Sequence, residues 1–133
     1  MTVGIRPNDG GGPALVDQSW LLGLAGGANR NYVNGITAHA GGTKAAAFQL
    51  PANVAIIEVE TVATNSDSVL LPQAKAGTIV FVYNKGAATL SSYGKGTDTI
   101  NGAATANAYD LTTGLSALFF CPVDGAWAAI KSA

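Results

Sequence analysis

Four oxygen-bearing side chains, Asp98, Asn101, Asn107 and Asp110, fall within the stretch "TDTINGAATANAYDL" at 97–111. The chemistry open to them is that of a hard cation such as calcium, which takes roughly six to eight oxygen ligands. Asn101-Gly102 inside the same stretch is the strongest short hairpin signal, and a hairpin separates the four ligands along two strands. The stretch therefore reads as a turn that sets strand register.

The other residues with chemical potential are scattered. Glu58 and Glu60 lie two apart on one strand face, about 7 Å from each other, and a carboxylate pair invites a glycosidase reading. An ordinary solvent-facing strand gives the same spacing, and an aromatic content of 8% leaves little for a sugar cleft. His39 is the sole histidine, within "ITAHAGGTKAAAF", and nothing beside it resembles a nucleophile elbow. It reads as a surface or interface imidazole. Cys121 follows two phenylalanines and precedes Pro122, the setting of a small buried hydrophobe. "GKGTDT" at 94–99 lacks P-loop spacing, and "NDGGGP" at 8–13 lacks the spacing of a calcium loop. These residues lead us to expect no catalytic set, no metal site, no cofactor and no enzymatic activity.

The totals narrow the class further. A chain of 133 residues is one ordinary domain, with room for a single core and a terminal arm. It is 48% hydrophobic and only 11% charged, against about a quarter charged in typical soluble domains. Such a surface is badly suited to living alone. The net charge of −1 creates no field to gather a nucleic-acid backbone, and Arg6, Arg30, Lys44, Lys75, Lys85, Lys95 and Lys131 form no cluster. With a single cysteine, Cys121, no intrachain disulfide can form, and Cys/His pairs for zinc are missing. No run approaches the roughly 18 apolar residues of a membrane span, and Met1 is not followed by a signal-type segment. The expectation is cytoplasmic synthesis, with neither membrane nor nucleic acid as partner.

From Val54 onward, short β-type runs alternate with Gly, Asn, Asp and Pro. In "VAIIEVETVA" at 54–63, Ile57 and Val59 share one face and Glu58 and Glu60 the other, the pattern of a half-buried strand. "SVLL" at 68–71 is closed by Pro72, which cannot donate to a ladder. "TIVFVY" at 78–83 is apolar on both faces, which predicts a central buried strand. The "NKG" that follows predicts a hairpin to "ATLSSY" at 88–93, and Asp124-Gly125 predicts a second between "LSALFFC" and "AWAAIK". The expected fold is all-β, an antiparallel β-sandwich or jelly-roll-like barrel. Residues 51–133 form its body, and residues 1–50 an N-terminal arm and entry strand. That arm carries at most one short helix, at 13–27, with Pro13 at its start and Gly26 and Gly27 past its end. Trp20, Leu21, Leu22 and Leu24 are the apolar cluster outside the body. They are candidates either for a lid on the sandwich or for the anchor of a capsid or subunit interface.

Taken together, "SVLLPQAKAGTIVFVYNKG", "TDTINGAATANAYDL" and "SALFFCPVDGAWAAI" resemble a pattern in small structural proteins of tailed bacteriophages. The matching positions are Asp67 to Pro72, Gly77 with Val80 to Gly86, Asp98 to Gly102, and Gly125 to Trp127. The resemblance implies a virion β-sandwich of the capsid decoration, or cement, family, bound to the outside of the head. Its partners would be the major capsid protein and further copies of itself. Trimers would be favoured over dimers, because sites near capsid three-folds impose that symmetry. The rival expectation is a receptor- or carbohydrate-binding module of a head fibre or tail, with Tyr93 and Tyr109 as an exposed aromatic patch.

Overall fold

Alternation of side chains decides which face of each strand turns inward. In Ile56–Thr61, Ile57 and Val59 are buried while Ile56 and Glu60 face out; in Ile79–Asn84 the buried set is Val80, Val82 and Asn84. The computed structural model describes residues 31–133, and these carry ten strands and no helix. In chain order they are β1 Tyr32–Thr37, β2 Phe48–Gln49, β3 Ile56–Thr61, β4 Asp67–Leu70, β5 Ile79–Asn84, β6 Leu90–Tyr93, β7 Thr99–Ile100, β8 Tyr109–Leu111, β9 Ser116–Val123 and β10 Ala126–Lys131.

The strands form two sheets, one six-stranded in the order β1-β3-β5-β9-β10-β7 and one four-stranded in the order β2-β4-β6-β8. From β1 to β9 the chain passes from one sheet to the other at every step. Successive rungs stack in parallel: β1 on β3 and β3 on β5 in the larger sheet, β2 on β4 and β4 on β6 in the smaller. Val33 lies beside Ile57 and Ile57 beside Val82, so one coil is laid on the next with its apolar residues in line. This is a solenoid-like coil. The β9–β10 hairpin then lies beside β5, and the short β7 joins the far side of β10 in parallel.

The all-β class stands, but the antiparallel sandwich or jelly roll is replaced by this mostly parallel coil. Three local expectations change with it. β5 and β6 do not pair across "NKG", because they belong to different sheets. The Asn84 side chain makes a corner there: its Oδ1 accepts from Gly86 N–H at 2.9 Å, while its Nδ2 donates to Ala88 O at 2.8 Å and Leu111 O at 2.7 Å. Asn101 and Gly102 adopt the paired positive φ angles of a hairpin turn, 52° and 73°. Yet the strands they join, β7 and β8, also lie in different sheets. Only Asp124-Gly125 joins two strands that pair, β9 and β10. Third, β5 is not buried on both faces, since Ile79, Phe81 and Tyr83 are exposed.

Between the sheets, Phe119 and Trp127 pack edge to face with ring centroids 6.4 Å apart, and Tyr109 meets Phe119 at 5.6 Å. Ile57, Val59, Val80 and Val82 of the larger sheet join Val69, Leu90 and Leu111 of the smaller in the same core. The expected candidate helix at 13–27 lies outside the described residues, whereas Tyr32–Thr37 lies in the larger sheet and Phe48–Gln49 in the smaller.

The corner after β5 has no spare room. A Cβ on Gly86 would sit 2.4 Å from Val62 N and 2.5 Å from Val62 Cβ, and the first of these is backbone that cannot swing aside. Gly86→Ala is therefore expected to destabilise the protein by about 3 kcal/mol, read as a lowered urea midpoint with an unchanged slope. An unshifted midpoint would show that the corner yields.

Candidate functional site

The oxygen-rich stretch at 97–111 is dispersed by the fold. Asp98 is buried, and its Oδ2 accepts the Ala74 N–H at 2.7 Å, tying the turn before β7 to the loop before β5. Asn101 donates from Nδ2 to Ala129 O at 3.1 Å and accepts Ala129 N–H on Oδ1 at 2.8 Å, extending the β7–β10 ladder with a side chain. Asp110, in the other sheet, accepts the Ser91 hydroxyl at 2.8 Å. Among the described residues no group of three or more His, Cys, Asp and Glu is placed to hold a metal ion. Calcium is accordingly expected to leave the melting temperature unchanged; a rise that chelator reverses would restore the metal reading.

The remaining sequence candidates are also occupied or apart. Glu58, half-buried, lies 3.9 Å from the Nζ of the exposed Lys85, and so loose a pair in contact with water contributes little. His39 exchanges backbone hydrogen bonds with Ser68 in both directions, 2.9 and 2.8 Å, as a one-residue bridge at the edge of the smaller sheet. Cys121 is buried and its thiol donates to Val123 O at 3.0 Å. Tyr93 is buried with its hydroxyl donating to Gly42 O, and Tyr109 is half-buried against Phe119 with the Lys131 ammonium 5.2 Å from its ring centre. These two tyrosines form no exposed patch. Trp20, Leu21, Leu22 and Leu24 lie outside the described residues.

Polar side chains instead hold the corners of the coil. Asp67 is buried at the start of β4, where its Oδ2 accepts the N–H groups of Ala63 (2.9 Å) and Thr64 (3.1 Å) and its Oδ1 the Thr64 hydroxyl (2.7 Å). The Thr64 hydroxyl is the main reason that its carboxyl titrates below the ordinary 3.8; backbone N–H groups add to the effect and burial opposes it. Asn65 Oδ1 accepts Thr89 N–H, and Asp124 Oδ1 accepts Ala76 N–H, both at 2.9 Å. Lys44 reaches across to donate to Gly96 O and Thr105 O.

The residues that sequence reasoning missed are those on the outer face of the larger sheet. Registers place Tyr32 beside Ile56, Ile56 beside Phe81, Phe81 beside Leu118, and Leu118 beside Ile130. One apolar row therefore crosses five adjacent strands, about 19 Å at the usual strand spacing. A second row runs from Ile79 through Phe120 to Ala128. Tyr32, Ile56, Ile79 and Ile130 are more than half exposed, at 57, 55, 53 and 60%, and Phe81 is 45% exposed. Their alternation with buried residues was readable in "IVFVY", but an apolar run on both faces is also the mark of a fully buried strand.

No family model, curated protein or solved structure matches the chain.

The Asp67 corner carries a pH dependence. Because its folded-state pKa is lowered, its stabilisation is fully present above the unfolded value of 3.8 and is lost as pH falls through the lower folded value. Asp67→Asn is expected to reduce stability at neutral pH, with the gap to wild type closing in urea titrations below about pH 4. A gap that stays constant down to pH 2 would assign the loss to something other than the carboxylate charge.

Proposed function

We propose that this protein is a structural component of a tailed-phage virion, binding the outside of the head and stabilising contacts between major capsid subunits as a homo-oligomer. The observation that carries this reading is the use of the polar residues in the segments that resemble decoration proteins. Asp67, Asn84, Asp98 and Asn101 each bind backbone groups at a corner or ladder end of the coil. Gly86 fits where any side chain would strike Val62, and Trp127 fills the core. The recurring positions serve rigidity. A cement protein must present the same surface to many identical subunits, and a stiff body does so without an ordering cost at each contact.

A short solenoid-like body suits the role for a second reason. Its stacked rungs keep side chains in straight rows, and rows are what a repeating shell can match. The protein is expected to co-sediment with heads of the virus that encodes it and to rebind heads from which it has been stripped. Bound copies should raise the temperature at which those heads release their genome. A folded, oligomeric chain that neither enters particles nor rebinds them would overturn the proposal, and glycan binding in its place would favour the fibre or tail module.

A further inference from the structure

The outer face of the larger sheet is an apolar surface with a definable occupant. Tyr32, Ile56, Ile79, Phe81, Tyr83 and Ile130 are its exposed members, and Leu118 and Phe120 fill the spaces between them half-buried. At about half exposure each such side chain offers on the order of 100 Å², so the six present roughly 600 Å². That equals the top of the range for the largest apolar patch on a monomer, about 300–600 Å². It is also most of the ~800 Å² that one partner contributes to a stable interface. Charge is confined to its border, where Glu58 faces Lys85 and Glu60 follows on the same side of β3.

We infer that this face packs against the same face of another copy of the chain. A flat sheet with aligned rows is complementary to a second sheet of the same kind, the two lying about 10 Å apart with side chains interleaved. The aromatic and isoleucine content with no charge at the centre is that of a homo-oligomer interface, which is more apolar than a transient one. Self-packing also removes the liability of an exposed apolar sheet without requiring any other molecule. It fits the low charge of the whole chain, 11%, since the rows that cross the middle of the face carry none. The occupant does not depend on the virion reading. A chain that self-associates but ignores heads would overturn that reading and leave this pairing intact.

The test is the mass of the full chain by sedimentation velocity over a dilution series, for wild type and for a Phe81→Glu/Ile130→Glu double variant. Both substituted side chains point outward, so the variant should retain its far-ultraviolet spectrum and cooperative unfolding. Wild type is expected to sediment at twice the 13.3 kDa chain mass, because a face packed on its own copy closes as a two-fold pair. The variant should be a folded monomer, its assembly weakened by at least about thirtyfold. A wild type that is monomeric at every concentration overturns the inference, and so does an assembly that persists in the folded variant. The milder Phe81→Ser/Ile130→Ser pair, read in the same way, replaces the acidic pair if the latter does not fold.

Discussion

A parallel coil must turn the chain out of one sheet and into the other at every rung, and backbone groups lose their ladder partners at each turn. Leaving such groups buried without partners costs about as much as a lost hydrogen bond apiece. The constraint on this protein is therefore at its corners rather than in its strands. Asp67 takes up two N–H groups before β4; Asn84 satisfies one N–H and two carbonyls after β5; Asp98 takes the N–H of Ala74. Glycine completes them where space fails, as at Gly86 against Val62. With the corners closed, the strands need only branched apolar residues on their inner side, and Ile57, Val59, Val80 and Val82 supply them.

The same constraint explains what could and could not be read from the chain. β3 to β6, β9 and β10 were legible, because alternation in "IIEVE" and the Pro72 stop are local signals, whereas β1 and β2 fell in the segment read as an arm and entry strand. The β9–β10 hairpin was legible for the same reason: Asp124-Gly125 is a turn joining neighbours that do pair. Pairing across "NKG" and "NG" was not legible. Both are good turn sequences, and the backbone at Asn101-Gly102 does adopt the hairpin-type φ angles. Whether a turn returns the chain to the strand it left or carries it to the opposite sheet depends on contacts far away in sequence. Leu111 O on Asn84 Nδ2 and Ala129 on Asn101 are two of them.

The repeat that makes the coil was hidden for a related reason. Solenoids show themselves by a period of roughly 20–50 residues. Here the rungs preserve the inward pattern while the loops between them vary, so Val33, Ile57 and Val82 align in space without a shared motif around them. The oxygen-rich stretch at 97–111 is a turn region, but it sets no register between the strands it joins, because β7 and β8 lie in different sheets. Asp98 and Asn101 fasten the last turns of the coil to the loop before β5 and to β10. Trp20 and its leucine neighbours lie outside the described residues.

Corner chemistry and the outer face are linked through stiffness. A sheet held only by its strands can twist and slide, and a one-residue slip would turn Phe81 inward and Val82 outward. Pinned corners forbid the slip, because Asn84 cannot move without releasing Gly86, Ala88 and Leu111 together. The apolar row from Tyr32 to Ile130 is thereby held on the outer face of the larger sheet. In an ordinary two-layer β domain the outer positions of the strands would be Thr, Lys and Glu. Among the described residues, their replacement by Ile, Phe and Tyr on adjoining strands departs from that pattern.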